Sequence, residues 1–319
     1  MTIVNFLFNN VTIQELQIVH KKNINNFRFS PQIGIFNETD TLRSATLWGP
    51  IGIEALLAQL YPSEISLFFD NMNVLAARSE VLRYRTVLED NGVKVWFARD
   101  ILAHTLPIHS ISRKVVLNAL IQKGRDICES HNTKLIPDFQ NTTEALLDQD
   151  ILRYGKDQAL NLNWKLCLNP YLPLGNLLYA RDQMNVIFNK RISSQMKKQI
   201  RKQEVNLYET VYQQGLGLKS NSIIIPSNES FEGGDAYIHN NTIFIGVGSR
   251  TTFGAALHVF RALKKEIQEL NYKFVVVEDI LKRDHKDEML YMHLDTFSNP
   301  VDLRQIALCL NKASKQKIR

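Results

Sequence analysis

From Thr41 onward, short apolar runs of β-type composition alternate with longer segments whose leucines and valines recur at helical spacing, and this alternation restricts the chain to an α/β architecture. SATLW (44–48) reads as a strand, Gly49-Pro50 as a turn, and GIEALLAQLY (52–61) as a helix that stops before Pro62. ISLFFD (65–70) is a second candidate strand. VLAARSEVLRYRTVLED (74–90) has helical period and ends on Asn91-Gly92, a pair suited to a left-handed cap, after which VKVWF (93–97) is strand-like again. Between about 104 and 169 the strand signal disappears, and the segments starting at Ile108 and Asn141 are helical by period, with Asn141 and Glu144 as cap and capping-box acid. These observations predict a helical insertion over about 104–169 within a domain spanning 41–319, preceded by an aperiodic extension over 1–40.

The second half resumes the mixed pattern. Pro170, Pro173 and Gly175 precede an apolar stretch read as a strand ending on Arg181-Asp182, a position where a buried element can hold charged side chains at an accessible loop. A helix is expected over 197–214, a strand at SIIIP (222–226), and a hairpin in which His239-Asn-Asn241 turns DAYI into TIFIG. An amphipathic helix over 249–270, a strand at KFVVVEDI (273–280), the segment MLYMHLDTF (289–297) and a short helical tail complete the chain.

Composition removes several classes of function. With 45% hydrophobic and 22% charged residues the chain has the material for a substantial core, and no run approaches the roughly 20 apolar residues of a membrane helix. The apolar patch at 3–8 lacks the flanks of a signal peptide, so a cytoplasmic protein without membrane partners is expected. Cys128, Cys167 and Cys309 are widely spaced and form no CxxC pair, which argues against a disulfide framework and a zinc site; no metal or other cofactor is expected. The net charge of +6 is concentrated in 191–204 and 311–319, but these stretches lack interleaved aromatics, so a solvated helix face is expected rather than a nucleic-acid site. GVGSRT (246–251) lacks the third glycine and the Lys-Ser/Thr partner of a phosphate loop.

The acidic motifs carry the chemistry. FEGGD (231–235) sets Glu232 and Asp235 around a glycine pair, Asp182 follows Arg181, and HLDT (293–296) adds His293 and Asp295; carboxylates with one histidine suit a cationic ligand. In isolation Glu232 and Asp235 read as turn caps, His293 as a structural histidine and Arg250 as a helix-entry residue, whereas together they read as a site.

NLLYARD (176–182), FEGGD, IGVGSRTT (245–252) and MHLDT (292–296) resemble, in order and roughly in spacing, the signature segments of arginine deiminase, within the superfamily that includes amidinotransferases, dimethylarginine hydrolases and agmatine deiminases. The resemblance runs from about residue 41 and implies a pentein-type α/β propeller of strand-strand-helix-strand modules with a helical insertion. It implies that Asp182 and Asp295 grip a guanidinium, that Glu232 stands beside His293 as general acid/base, and that Asp235 holds the site. Asn176, Arg250 and Arg201 match the set that holds a ligand's α-carboxylate. The chemistry agrees: a guanidinium is planar, delocalised and rich in donors, and paired carboxylates match it. The family's nucleophile is a cysteine near the C-terminus, in a fifth module beyond HLDT, whereas this chain extends about two dozen residues past that motif. Cys309, at helical spacing with Leu303 and Ile306, is expected to be an ordinary buried thiol, and the last blade to be incomplete or missing. The expected ligand is arginine or a related guanidine, and the expected function an arginine deiminase-like hydrolase or a truncated, inactive pseudoenzyme or partner subunit that keeps the pocket, with amidinotransferase as the alternative chemistry. An open last blade would favour a homo-oligomer.

Overall fold

The computed structural model describes residues 33–68, 70–168, 174–218, 222–279, 292–309 and 316–318. Strand β1 (Ser44–Leu47) pairs in parallel with β2 (Lys94–Phe97), and the connection carries helices α1 (Ile53–Ala58), α2 (Ser63–Ser66) and α3 (Val74–Asp90). The Asn73 side chain caps α3 by accepting from the Ala76 amide, and Gly92, at φ +79°, turns the chain into β2 where a Cβ would be strained. No strand forms among the described residues of 65–70: the Pro62 carbonyl accepts the amides of Ile65 and Ser66, closing a helical turn that apolar composition alone does not reveal.

Helices α4 (Ala98–Thr105), α5 (Arg113–His131), α6 (Phe139–Tyr154) and α7 (Lys156–Cys167) follow in succession. α6 begins at Phe139, ahead of the expected cap at Asn141, because Phe139 is buried against Gly124, where an added Cβ would meet its ring at 2.5 Å. Leu120, Leu146, Leu147, Leu160, Leu162 and Leu166 form a core shared with α1 and α4. A charged group in such a core must be paired. Arg99, fully buried, donates two 2.7 Å hydrogen bonds to Asp150, and Arg78 donates to the same carboxylate at 2.9 Å, so that α3, α4 and α6 are tied at one point.

Beyond this helical layer, the order strand, strand, helix, strand occurs twice. After the short helix α8 (Ala180–Gln183), β3 (Met184–Ile187) and β4 (Lys190–Ser193) pair antiparallel, α9 (Lys202–Thr210) crosses over, and β5 (Ser222–Ile224) returns parallel to β4. The strand expected to end on Arg181-Asp182 therefore begins after that pair, and Pro170 and Pro173 lie outside the described residues. In the second unit, β6 (Ala236–His239) and β7 (Thr242–Val247) form a hairpin, α10 (Phe253–Glu269) crosses, and β8 (Lys273–Asp279) runs parallel to β7. Thr252 caps α10, which turns Ala255, Ala256, Val259, Leu263 and Ile267 onto Ile192, Ile223, Ile243 and Ile245 in a second core.

The expected helical tail is instead β9 (Ser298–Asp302) and β10 (Gln305–Leu308), an antiparallel pair, followed by β11 (Gln316–Ile318) along β8. Cys309, expected to be buried on a helix, is exposed at the end of β10. Among the described residues no helix is long and apolar enough to cross a membrane.

Candidate functional site

The acidic motifs converge because each lies at an element boundary facing one point. Asp182 sits on α8, Glu232 and Asp235 flank the tight turn Gly233–Asp235 that leads into β6, and His293 precedes the turn Leu294–Thr296. The glycine pair permits this convergence. A Cβ on Gly233 would stand 1.9 Å from the Arg181 carbonyl oxygen, and one on Gly234 would stand 2.6 Å from His293 Nδ1 and 3.0 Å from Asp182 Oδ1. With no side chain there, the Gly234 amide donates directly to Asp182 Oδ1 at 3.0 Å. Arg181 draws the same turn together from outside, donating to the carbonyls of Gly233 and Ala236 and pairing with Glu38 at 2.7 Å.

His293, 5% exposed, lies between two acids: its Nε2 is 2.9 Å from Glu232 Oε2 and its Nδ1 is 3.7 Å from Asp182 Oδ1. Burial alone would lower the imidazole's pKa, but Asp182, Glu232 and Asp235 outweigh it and hold the group at about 9. Glu232 shows the reciprocal effect: burial pushes its carboxyl up, yet the hydrogen bond and charge of His293, with Arg250 and Arg201 nearby, bring it to about 2. Its other oxygen accepts the Lys197 amide at 3.0 Å. The contact between His293 and Glu232 is therefore a charged hydrogen bond at neutral pH.

Asp235 behaves differently. Burial raises its pKa to about 7 against the pull of His293, the Thr251 side chain and the Leu294 amide, which donates to Oδ1 at 2.9 Å. It anchors the segment bearing His293 to the segment bearing Glu232. Gly246 leaves room for it, since a Cβ there would lie 2.6 Å from Asp235 Oδ1. Asp295, half-buried, has its pKa raised by burial and by Asp182, against His293 and Arg181.

Arg201 and Arg250 complete the cluster from opposite sides, both buried. Arg201 Nη1 is 2.7 Å from Asp182 Oδ2 and 3.8 Å from Glu232 Oε2, while Arg250 Nη1 is 3.8 Å from Glu232 Oε1. Asn176 meets this group through its backbone: its carbonyl accepts from Arg201 Nη2 and Gln183 Nε2, both at 3.3 Å, while its side chain donates to the Ser66 carbonyl. Two participants escaped the sequence analysis. Glu204, fully buried, accepts from Arg201 Nε at 3.0 Å and from Gln183 Nε2 at 2.6 Å. The signal was present, because RKQE places Glu204 three residues after Arg201 on one helical face. Nothing comparable marks Gln183.

Asp182, Glu232 and His293 each offer a ligand atom within 4.8 Å of the others, a spacing that a metal ion would tolerate. A metal there would require His293 to lose the proton that its acidic neighbours favour and Asp182 to give up the guanidinium of Arg201.

Two ββαβ units beside a helical layer, with a buried cluster of four acids, a histidine and two arginines near their loops, define the chain as a mixed α/β protein with a buried charged cluster. The sequence model of arginine deiminase matches residues 66–317, and the chain belongs to that family. Similar proteins include the arginine deiminase of Borrelia recurrentis, 25% identical over 290 residues, covering 85% of this chain and 67% of that protein. The arginine deiminase of Mycoplasma capricolum is 24% identical over 282 residues, with the same coverage of 85% and 67%. Among solved structures, DDAH from Pseudomonas aeruginosa in complex with citrulline aligns with a TM-score of 0.48 at 12% identity, over 83% of this chain and 69% of that one. An amidinotransferase from Microseira wollei aligns with a TM-score of 0.47 at 15% identity, over 88% and 72%.

Proposed function

We propose that this protein binds the guanidinium of arginine, or of a closely related guanidine, and acts on it in the manner of an arginine deiminase, releasing ammonia and leaving citrulline. The observation that carries this reading is the buried His293 held between Glu232 and Asp182, with its Nε2 2.9 Å from one carboxylate and its Nδ1 3.7 Å from the other. Asp182, Glu232 and Asp295 take the guanidinium, His293 serves as general acid and base, and Asp235 fixes the segment that carries it. Asn176, Arg201 and Arg250 face the ligand's carboxylate. The repeated ββαβ order supports a pentein-type propeller as the framework, with 1–40 as an extension and about 104–169 as an insertion.

A second reading is favoured by the thiols. Cys128 and Cys167 are buried, burial pushes the Cys167 thiol well up, and Cys309 is exposed on the β9–β10 hairpin; none hydrogen-bonds to the cluster among the described residues. Guanidine cleavage of the covalent kind needs a thiolate at the site. A chain without one binds guanidine as a pseudoenzyme or as a subunit completed by another polypeptide. Calorimetry with arginine combined with a citrulline assay separates the cases. Heat with citrulline release that is lost in His293→Ala supports the hydrolase, heat without turnover supports the binding protein, and no heat from the folded chain overturns both.

A further inference from the structure

The acid cluster already holds a guanidinium, and it belongs to the protein. Arg201, 2% exposed, is engaged on every edge: Nη1 to Asp182 at 2.7 Å, Nε to Glu204 at 3.0 Å and Nη2 to the Asn176 carbonyl at 3.3 Å, with Glu232 Oε2 at 3.8 Å from Nη1. Its face lies 5.7 Å from the centre of the Tyr179 ring. Glu204 is itself fixed by Gln183, so the anchor is rigid. Asp182 therefore spends one carboxylate oxygen on Arg201 and the other on the Gly234 amide.

We propose that Arg201 is a tethered competitor for the guanidinium site, which an external guanidine must displace from Asp182, and that this exchange selects the ligand. Two guanidiniums in one buried pocket repel, so the incoming cation and Arg201 cannot both stay on Asp182 and Glu232. A guanidinium driven off its carboxylate inside the protein is costly unless a new anion meets it. A ligand with its own carboxylate supplies that anion and re-pairs Arg201 as it takes the acids. A guanidine without an anionic group, such as methylguanidine, leaves Arg201 with Glu204 as its remaining carboxylate and is disfavoured. The selection thus rests on what the displaced residue does next, in addition to direct contact with the ligand. This inference deepens the guanidine-binding reading and depends on it.

The experiment is a calorimetric titration of arginine and of methylguanidine into the wild-type chain, Arg201→Met and Glu204→Gln. Wild type should prefer arginine over methylguanidine by well over tenfold. Arg201→Met should bind methylguanidine at least tenfold more tightly than wild type and lose most of the preference. Glu204→Gln keeps the shape and removes the carboxylate that Arg201 retains when it leaves Asp182, so it should weaken methylguanidine binding by about threefold or more, and it carries the test alone if Arg201→Met fails to fold. Methylguanidine affinity that fails to rise more than twofold in folded Arg201→Met, or that does not fall in folded Glu204→Gln, overturns the proposal whatever arginine does. Failure of wild type to bind arginine while Arg201→Met gains methylguanidine overturns the carboxylate-bearing ligand and leaves the competitor standing.

Discussion

His293 is the residue at which the site's electrostatics can be measured. Its pKa is raised from an ordinary 6.5 to about 9, so its contribution to folding is complete below about pH 6.5 and is lost as pH rises through about 9. Glu232, lowered from 4.5 to about 2, contributes above pH 4.5 and loses that contribution as pH falls through about 2. Asp235, raised from 3.8 to about 7, favours the folded state at low pH and ceases to do so as pH rises through about 7. The cluster is therefore most favourable near pH 4 to 4.5, and stability should decline from there to about pH 9, first as Asp235 loses its contribution and then as His293 does. A displacement of this size at a buried histidine corresponds to roughly 3 kcal/mol, counted once for the shared contact with Glu232. NMR titration should place the His293 imidazole midpoint far above that of an exposed histidine, and Glu232→Gln should bring it down towards 6.5 while flattening the decline in denaturant melts. A midpoint near 6.5 in the unmutated chain would refute the charged contact. The types of these residues were legible in FEGGD, RD and HLDT, since each motif sets acids or a histidine beside a turn. Their pairings were not, because a position in sequence does not say which carboxylate an imidazole will face across 61 residues of chain.

At the scale of elements, strands with alternating apolar composition and helices with local caps were legible, and elements defined by a turn's hydrogen bonds were not. The β6–β7 hairpin shows the first case: Asn240 and Asn241 take φ of +46° and +52°, the left-handed pair that a two-residue turn requires, and Asn tolerates that region better than most residues. Asn241→Gly should be neutral or stabilise by a few tenths of a kcal/mol, while Asn241→Val should cost ~1–2 kcal/mol, read from the shift in denaturant midpoint. Equal stabilities for the two variants would remove the turn from its role in setting register. The segment DLRQIALCL shows the second case. Its leucines and isoleucine fit a helical period, yet Gln305–Leu308 pairs with Ser298–Asp302, because a segment this short satisfies both periods and pairing with the adjacent strand decides. Likewise Arg181-Asp182 precedes β3, since the helical turn Ala180–Gln183 is held by the Arg181 and Asp182 contacts across to Gly233 and Gly234, which lie some fifty positions away.

Among the described residues the two largest apolar cores are separate and the charged cluster lies where their loops meet: Asp182, Asn176, Arg201 and Glu204 join the helical side, and Glu232, Asp235, Arg250 and His293 the sheet side. The β9–β10 pair stands apart from this economy of burial. In both complete ββαβ units the second strand gains a parallel neighbour, β5 on β4 and β8 on β7, whereas β10 pairs only with β9 among the described residues. Val301 is 57% exposed, Leu303 58% and Leu308 48%, so the hairpin presents apolar side chains beside a strand edge that has no partner among the described residues. A two-stranded hairpin is marginal alone, and such an edge templates pairing with another chain. The protein should therefore associate through this hairpin in a concentration-dependent way, burying its edge against a second copy. Light scattering should show an apparent mass above that of a 36.7 kDa monomer that falls on dilution. Leu308→Lys, which places a charge on β10 without touching the acid cluster, should shift the population towards monomer while leaving arginine binding within about twofold. A wild-type chain that stays monomeric at high concentration, or a Leu308→Lys variant that associates as strongly as wild type, would show that the edge is closed by other means.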